Sequence, residues 1–486
     1  MTQFRRALLQ ATVARYLGMV INFGSNMVLA RLLLPEEVGV FSIGAAVVAL
    51  LAVLRDFGVT RYVIREAELT QAKLDTCFGF SLAIAWAFGA LLAVAAPHIA
   101  ELYRSPGLTA VLYILAAGLF VIPFNSIRLA LLRREMRFDI LLRAEIASAL
   151  ANALVSIVLA WQGFTYLALA WGTFASIVAT MLIARLAPVS ASPGWPSLAA
   201  WRSVANFGGL SLLMNLIIRL GARAPELLVG RSLGMHETGI LSRASGMTDL
   251  FNTLVLQSTG QVAFAEISRK FREGLALDND YRNAIAYVAV LSQPFFGFIM
   301  LLALPVTRTI SGPNWDAAAE LLKVLAITGF ALPFGTFGGA FLTAIGRIDL
   351  QLRIEAITTP IKISAWFLAG PCGLLVAAQV YVVLHLLTNM WTFRVVSRLL
   401  AVEERETLRR ALQAVPVSLF ALCAPALALL FDLEARIGAV ATVLCSGMAM
   451  GLLWLLALVL FKHPFANELS HTVRDLRASR RPRDPD

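Results

Sequence analysis

LYILAAGLFVIPFNSIRLALLRREMRFDILLRAE, residues 112–145, recurs 210 positions later as LKVLAITGFALPFGTFGGAFLTAIGRIDLQLRIE, residues 322–355, with 13 identities in 34 positions. The matches include Pro123-Phe124 against Pro333-Phe334 and a charged frame, Arg137, Asp139, Arg143 and Glu145 against Arg347, Asp349, Arg353 and Glu355. Shared apolar residues follow from composition alone, but four charges in register within nine residues do not. The chain is therefore two copies of one unit, and the rest is read on that frame.

With 486 residues, 59% hydrophobic, 15% charged and a mean hydropathy of +0.76, the chain lies far from soluble proteins, of which about a quarter is charged. Its composition is that of an all-α polytopic membrane protein. A hydrocarbon core of ~30 Å takes about 20 residues of helix, and polar punctuation recurs here at that distance. Long unbroken apolar runs exclude an outer-membrane barrel, whose strands are short and alternating. Fourteen spans are expected, at 8–30, 37–54, 76–97, 108–127, 144–161, 165–184, 205–230, 238–258, 284–306, 318–341, 354–371, 374–393, 411–431 and 437–461. The second, eighth and eleventh are weak and are required by the repeat. The N-terminus lacks a small-residue cleavage site and reads as a retained first span. Cys77, Cys372, Cys423 and Cys445 stand singly in apolar runs, which suggests neither disulfides nor a metal site.

Of the 41 Lys and Arg, 30 fall in one set of alternate loops and termini, six in the other and five inside spans. The positive-inside rule then puts both termini in the cytoplasm. Six spans separate the two copies of the repeat, so both run through the membrane in the same sense, as parallel repeats do. A second register, at an offset of 200, matches Arg31, Glu37 and Gly39 to Arg231, Glu237 and Gly239. The expected organisation is a first lobe at 1–186, a Pro/Ser/Gly-rich cytoplasmic linker at 187–204, a second lobe at 205–400, two further spans at 401–461 and a basic tail at 462–486.

Charges inside spans are costly, about 2.5–3.5 kcal/mol at mid-bilayer, and so mark function. Arg219 and Arg223 share a face of span seven with Asn215 one turn before them. Either they line a wet cavity or Glu226 locks Arg223 in an internal bridge. Arg15, Asn22 and Asn26 form a polar stripe on span one, and Arg243 and Lys362 stand in spans eight and eleven. If these helices line a cleft between lobes, the cleft is cationic and suits an anion such as a phosphate or diphosphate, which Arg grips with paired hydrogen bonds. Glu226 and Asp249 are the acidic candidates for coupling to Na⁺ or a proton. The charged frame, Arg137 to Glu145 and Arg347 to Glu355, is expected to be structural, with bridges from Arg137 to Asp139 or Arg143 to Glu145, or to act as a gate on the cytoplasmic side. There is no phosphate-binding Gly-rich loop, no metal-binding His spacing and no large extramembrane loop, so no catalytic site, cofactor or nucleic-acid partner is expected.

Several segments resemble lipid-linked oligosaccharide flippases of the Wzx type, within the multidrug and oligosaccharidyl-lipid exporter superfamily. They are LLLPEEVGVFS at 32–42, LRDFGVTRYVIRE at 54–66, REMRFDILLRAE at 134–145, LGMHETGILSRA at 233–244 and SGPNWDAAAELLKVLA at 311–326. Met235-His236 departs from the family, which more often has Pro and then a residue such as Glu. The resemblance implies two six-helix lobes around a cavity and alternating access. It implies transfer of undecaprenyl-diphosphate-linked sugars to the periplasmic leaflet of the bacterial inner membrane, in contact with membrane lipids and alongside a polysaccharide polymerase and chain-length regulator. Arg15, Arg219, Arg223, Arg243 and Lys362 would hold the diphosphate. Two alternatives fit less well: a drug or organic-cation antiporter, which would want an acidic cavity, and a membrane polymerase or glycosyltransferase, which would need a large loop or a metal-diphosphate motif.

Overall fold

The computed structural model describes residues 3–56, 58–189, 191–197, 209–256 and 266–470, which are helical with no strand among them. Packing divides the chain into two compact units, Met1–Ser242 and Arg243–Asp486. The first holds α1 (Gln3–Leu32), α2 (Pro35–Asp56), α3 (Val59–Arg65), α4 (Gln71–Leu102), α5 (Gly107–Val121), α6 (Pro123–Arg134), α7 (Phe138–Trp161), α8 (Thr165–Leu186), α9 (Gly209–Ser232) and the start of α10 (Met235–Phe251). The second holds the rest of α10, α11 (Asp278–Leu301), α12 (Ala303–Ser311), α13 (Asp316–Ala326), α14 (Thr328–Ala344), α15 (Ile348–Ala369), α16 (Leu374–Leu399), α17 (Glu404–Leu412), α18 (Ala414–Leu430), α19 (Leu433–Ile437) and α20 (Ala439–Leu460). The seam of packing thus falls inside α10 and not at the linker, because α9 packs along α2.

Eight described helices are long and apolar enough to cross a membrane, or ten if each of two bent pairs counts as one span. This is a multi-pass membrane protein. The four expected spans that fall short of that test are α1, α9, α10 and α15, the helices that carry the candidate site residues. The second span, expected to be weak, is strongly apolar, because Glu36, Glu37, Arg55 and Asp56 sit at its ends and leave 38–54 free of charge.

In the first unit, α5 fills the space between α2, α4 and α8 with Leu108, Val111, Leu112, Leu115 and Leu119, packed on Ile43 and Leu92. Burying each such side chain stabilises the unit by roughly 1.5–3 kcal/mol. The chain then bends by 50° between α5 and α6. Pro123 at the first position of α6 explains the bend, since it has no N–H to continue the preceding helix. The second copy bends by 40°, but between α13 and α14, six residues before Pro333. There the Thr328 hydroxyl bonds the Leu325 carbonyl at 2.7 Å, a side-chain substitute for the broken ladder.

After the bend, both copies turn through a residue in the left-handed region, Met136 (φ 55°) in the first and Gly346 (φ 79°) in the second. The linker is pinned rather than loose. Gly194 N–H donates to Asp75 Oδ1 at 2.7 Å, Ser197 N–H to the Asp75 carbonyl at 3.2 Å and Gln71 Nε2 to the Ser192 carbonyl at 3.1 Å. In the second unit, α18 and α20 pack on α11, where the Trp454 indole donates to the Val290 carbonyl at 3.0 Å. Residues 198–204 of the linker and 471–486 of the basic tail lie outside the described residues.

Candidate functional site

The second repeat register, at an offset of 200, becomes a contact in the first unit. A Cβ on Gly39 would overlap the Met235 carbonyl oxygen, and one on Gly239 would overlap the Pro35 carbonyl oxygen. Pro35 and Met235 are themselves 200 apart, so α2 and α10 cross at a point of local twofold symmetry. One turn on, Ser42 Oγ donates to Ser242 Oγ at 3.0 Å, again a pair related by the repeat. Only glycine permits this approach of two backbones.

On α9, Arg223 Nη1 meets Glu226 Oε2 at 3.2 Å, and Glu226 is buried. The internal bridge is therefore formed. Arg219, one turn earlier, is exposed and has no hydrogen bond or ion pair among the described residues. It stands ten residues into α9, roughly 15 Å along the helix at ~1.5 Å per residue. Asn215 on the same face is half-buried.

On α1, Asn22 and Asn26 are both exposed, and Asn26 spends its amide on the Asn22 carbonyl at 2.9 Å. The side chain of Arg15 lies outside the described residues. Arg243 on α10 lays its guanidinium over the ring of the fully buried Trp315, 4.5 Å from the centroid, and its Nε has no hydrogen-bond partner among the described residues. This cation–π contact fixes Arg243 to the start of α13. Asp249 lies within electrostatic reach of Tyr381 on α16. The four intramembrane cations with described side chains thus have different surroundings, and among them only Arg219 is both exposed and unengaged.

The charged frame closes in part. Arg137 Nε lies 3.4 Å from Asp139 Oδ1, and Arg347 Nε lies 3.1 Å from Asp349 Oδ1. Arg347 holds the Asp349 carboxyl below the usual carboxylate range. Arg143 and Glu145 make no such bridge among the described residues, since positions two apart on a helix point to different faces. Glu145 lies against Gly18 of α1, and Glu355 accepts from the Thr359 hydroxyl at 3.3 Å, while Arg353 is exposed. The anchoring arginines of the first copy were not anticipated. Arg128 donates to the carbonyls of Ala184 and Ala187 at 3.0 and 2.8 Å, and Arg134 to those of Val63 and Glu66, so each caps a helix end.

Sequence reasoning also missed a polar ladder on the α15–α16 hairpin. Glu355, Thr359, Lys362 and Trp366 recur along α15 at spacings of four, three and four. Tyr381, His385, Thr388 and Thr392 recur at the same spacings along α16. The helices run antiparallel, so these faces meet. Trp366 and Tyr381 have ring centroids 5.4 Å apart, Tyr381 and His385 5.6 Å, and Lys362 is electrostatically coupled to both Glu355 and His385. The matched 4-3-4 spacing was the available signal.

Residues 28–320 match the family model described as polysaccharide biosynthesis protein. The teichuronic acid biosynthesis protein TuaB of Bacillus subtilis is 24% identical over 71% of this chain and 73% of its own length. The lipopolysaccharide biosynthesis protein WzxC of Escherichia coli is 21% identical over 71% of this chain and 70% of its own. Among solved structures, the lipid II flippase MurJ in an inward closed conformation superimposes with a TM-score of 0.74, covering 95% of this chain and 99% of that one at 11% identity. That likeness concerns the fold.

Proposed function

This chain belongs to the polysaccharide biosynthesis protein family, and from that premise we propose that it is a flippase for oligosaccharide repeat units linked to undecaprenyl diphosphate. It moves them from the cytoplasmic to the periplasmic leaflet of the bacterial inner membrane by alternating access, for capsule, O-antigen or exopolysaccharide synthesis. The observation that carries this reading is Arg219, exposed midway along α9 and without a counter-charge among the described residues. A guanidinium at that depth does not face hydrocarbon. It faces water or an anion, and a diphosphate is the anion that a forked guanidinium grips best. The exposed amide of Asn22, and the second N–H of the Asn26 amide, supply neutral donors of the kind that bind sugar hydroxyls. In this reading residues 1–186 and 205–400 are the moving lobes, and both termini are cytoplasmic. Its chemistry is translocation and not bond making. A polymerase and chain-length regulator would act on the delivered units.

Arg219→Ala is expected to abolish polymer export in cells while the protein accumulates normally. Polymer output equal to wild type would sink the assignment. Arg223→Ala has a different expectation, because it removes the bridge to the buried Glu226. Discounted for the exposure of Arg223, that loss is about 1–2 kcal/mol and lowers accumulation. Adding Glu226→Gln should restore it.

A further inference from the structure

Four side-chain polar atoms of the α15–α16 hairpin are shielded from solvent and have no hydrogen-bond partner among the described residues: Nδ1 and Nε2 of His385, Nε1 of Trp366 and, near the far end of α16, Oγ of Ser397. Buried polar atoms left unpaired are rare and call for a reason. The atoms of His385 and Trp366 gather in one place, against the Tyr381 ring and within electrostatic reach of the Lys362 ammonium, on two helices of the second unit.

The surroundings narrow what this place can bind. Na⁺ needs several oxygen ligands. The hydroxyls of Thr388 and Thr392 are already given to the carbonyls of His385 and Thr388, and the unpaired atoms of the cluster are imidazole and indole nitrogens, not oxygens. A phosphate or a sugar needs room, whereas Trp366 is 2% exposed and its ring packs on Tyr381, which packs on His385. A proton needs no room. Imidazole takes up and releases one at a ring nitrogen.

We propose that the α15–α16 hairpin holds the proton-coupling site of this protein, with His385 as the group that takes up and releases the proton and Lys362 as the fixed charge facing it. Uptake converts an imidazole nitrogen lone pair to a second N–H and sets two cations across the hairpin from each other. Their repulsion in a low-dielectric interior drives the two helices apart. Release lets the aromatic stack close again. Glu355, coupled to Lys362 and about two turns from it, gives the ammonium a counter-charge on the same helix while His385 is charged.

The other groups around His385 do not compete for this role. Asp249 reaches the cluster through Tyr381. On α13, Glu320 is paired with Lys323 at 2.7 Å and Asp316 with Arg308 at 2.7 Å. α14 has no titratable side chain.

The proposal deepens the flippase reading and rests on it for its purpose, but its test does not. The full-length protein is reconstituted in liposomes without any oligosaccharide lipid, and charge displacement is recorded on a solid-supported membrane after a pH jump and, separately, after a Na⁺ jump. Wild type is expected to respond to the pH jump alone. His385→Gln and His385→Asn should lose that response while keeping wild-type melting behaviour, and Lys362→Gln should keep it with a displaced pH midpoint. A full response in both folded His385 variants, or a response to Na⁺ in place of protons, overturns the proposal. Translocation of an oligosaccharide lipid is measured on the same liposomes. A pH response that needs His385 without translocation would uphold the proton site and defeat the flippase reading, and translocation without such a response would do the reverse.

Discussion

At the α2–α10 crossing the two copies of the repeat are alike to the atom: Gly39 lies under the Met235 carbonyl, Gly239 under the Pro35 carbonyl, and Ser42 bonds Ser242. In the stretches 112–145 and 322–355 they have parted. Arg128 and Arg134, which cap helix ends in the first copy, correspond to Gly338 and Ala344 in the second. The difference is one of surroundings. At the crossing each copy is the other's packing partner, so a side chain added to one collides with the other and neither can drift. In the long stretches each copy packs on its own neighbours, and only the charged frame at the turn, with its paired Arg137–Asp139 and Arg347–Asp349, is kept.

The largest effect should come from breaking the symmetric region. Gly39→Val and Gly239→Val each drive a side chain into a backbone carbonyl that has no rotamer by which to yield. Overpacking usually costs about 1–3 kcal/mol, and these sites should reach or pass the upper end. Little folded protein and no polymer export are expected from either variant, whereas Gly39→Ala with near-normal output would show that the crossing opens easily.

The asymmetric region should respond unequally. Arg128→Met removes charged hydrogen bonds to three carbonyls, those of Ala184, Arg185 and Ala187, each worth roughly 1.5–3 kcal/mol, and leaves the end of α8 uncapped. A drop of several degrees in melting temperature is expected, read by differential scanning fluorimetry in detergent. Arg347→Met, at the frame position of the second copy, breaks only an exposed pair. It should shift the melting temperature by under about 1 °C. The sign of its pH dependence is fixed by Asp349, whose carboxyl is held low by Arg347. Whatever stability the pair adds is present above the ordinary carboxylate range and is lost as pH falls through the depressed value. Wild type and Arg347→Met should therefore converge in acid. A variant that differed more at low pH than at neutral pH would contradict the pairing.

Much of the fold was legible because it rests on composition and repetition. Long apolar runs dictate helices, and the two offsets, 210 and 200, name positions that the structure places in equivalent turns or in direct contact. What the sequence obscured has a common cause. Arg128 and Arg134 looked like topology signals, yet their partners are carbonyls, which every residue has and no sequence pattern marks. Arg243 looked like a cavity residue, and its partner is the face of Trp315, some seventy positions away. His385 looked like a scattered histidine because its significance lies in what faces it on α15. Side chains announce chemistry, but only packing says which of them have already found a partner.

The crossing and the transport claim meet in one measurement. With the four native cysteines replaced, Ser42→Cys and Ser242→Cys would stand where two hydroxyl oxygens lie 3.0 Å apart, so an oxidant can tie α2 to α10. Purified protein of this kind, in liposomes loaded with a fluorescent diphosphate-linked oligosaccharide lipid, is expected to translocate that lipid when reduced, to stop when oxidised and to resume when reductant is returned. No translocation by the reduced protein, or translocation that continues through a completed cross-link, would contradict a flippase that works by opening this crossing.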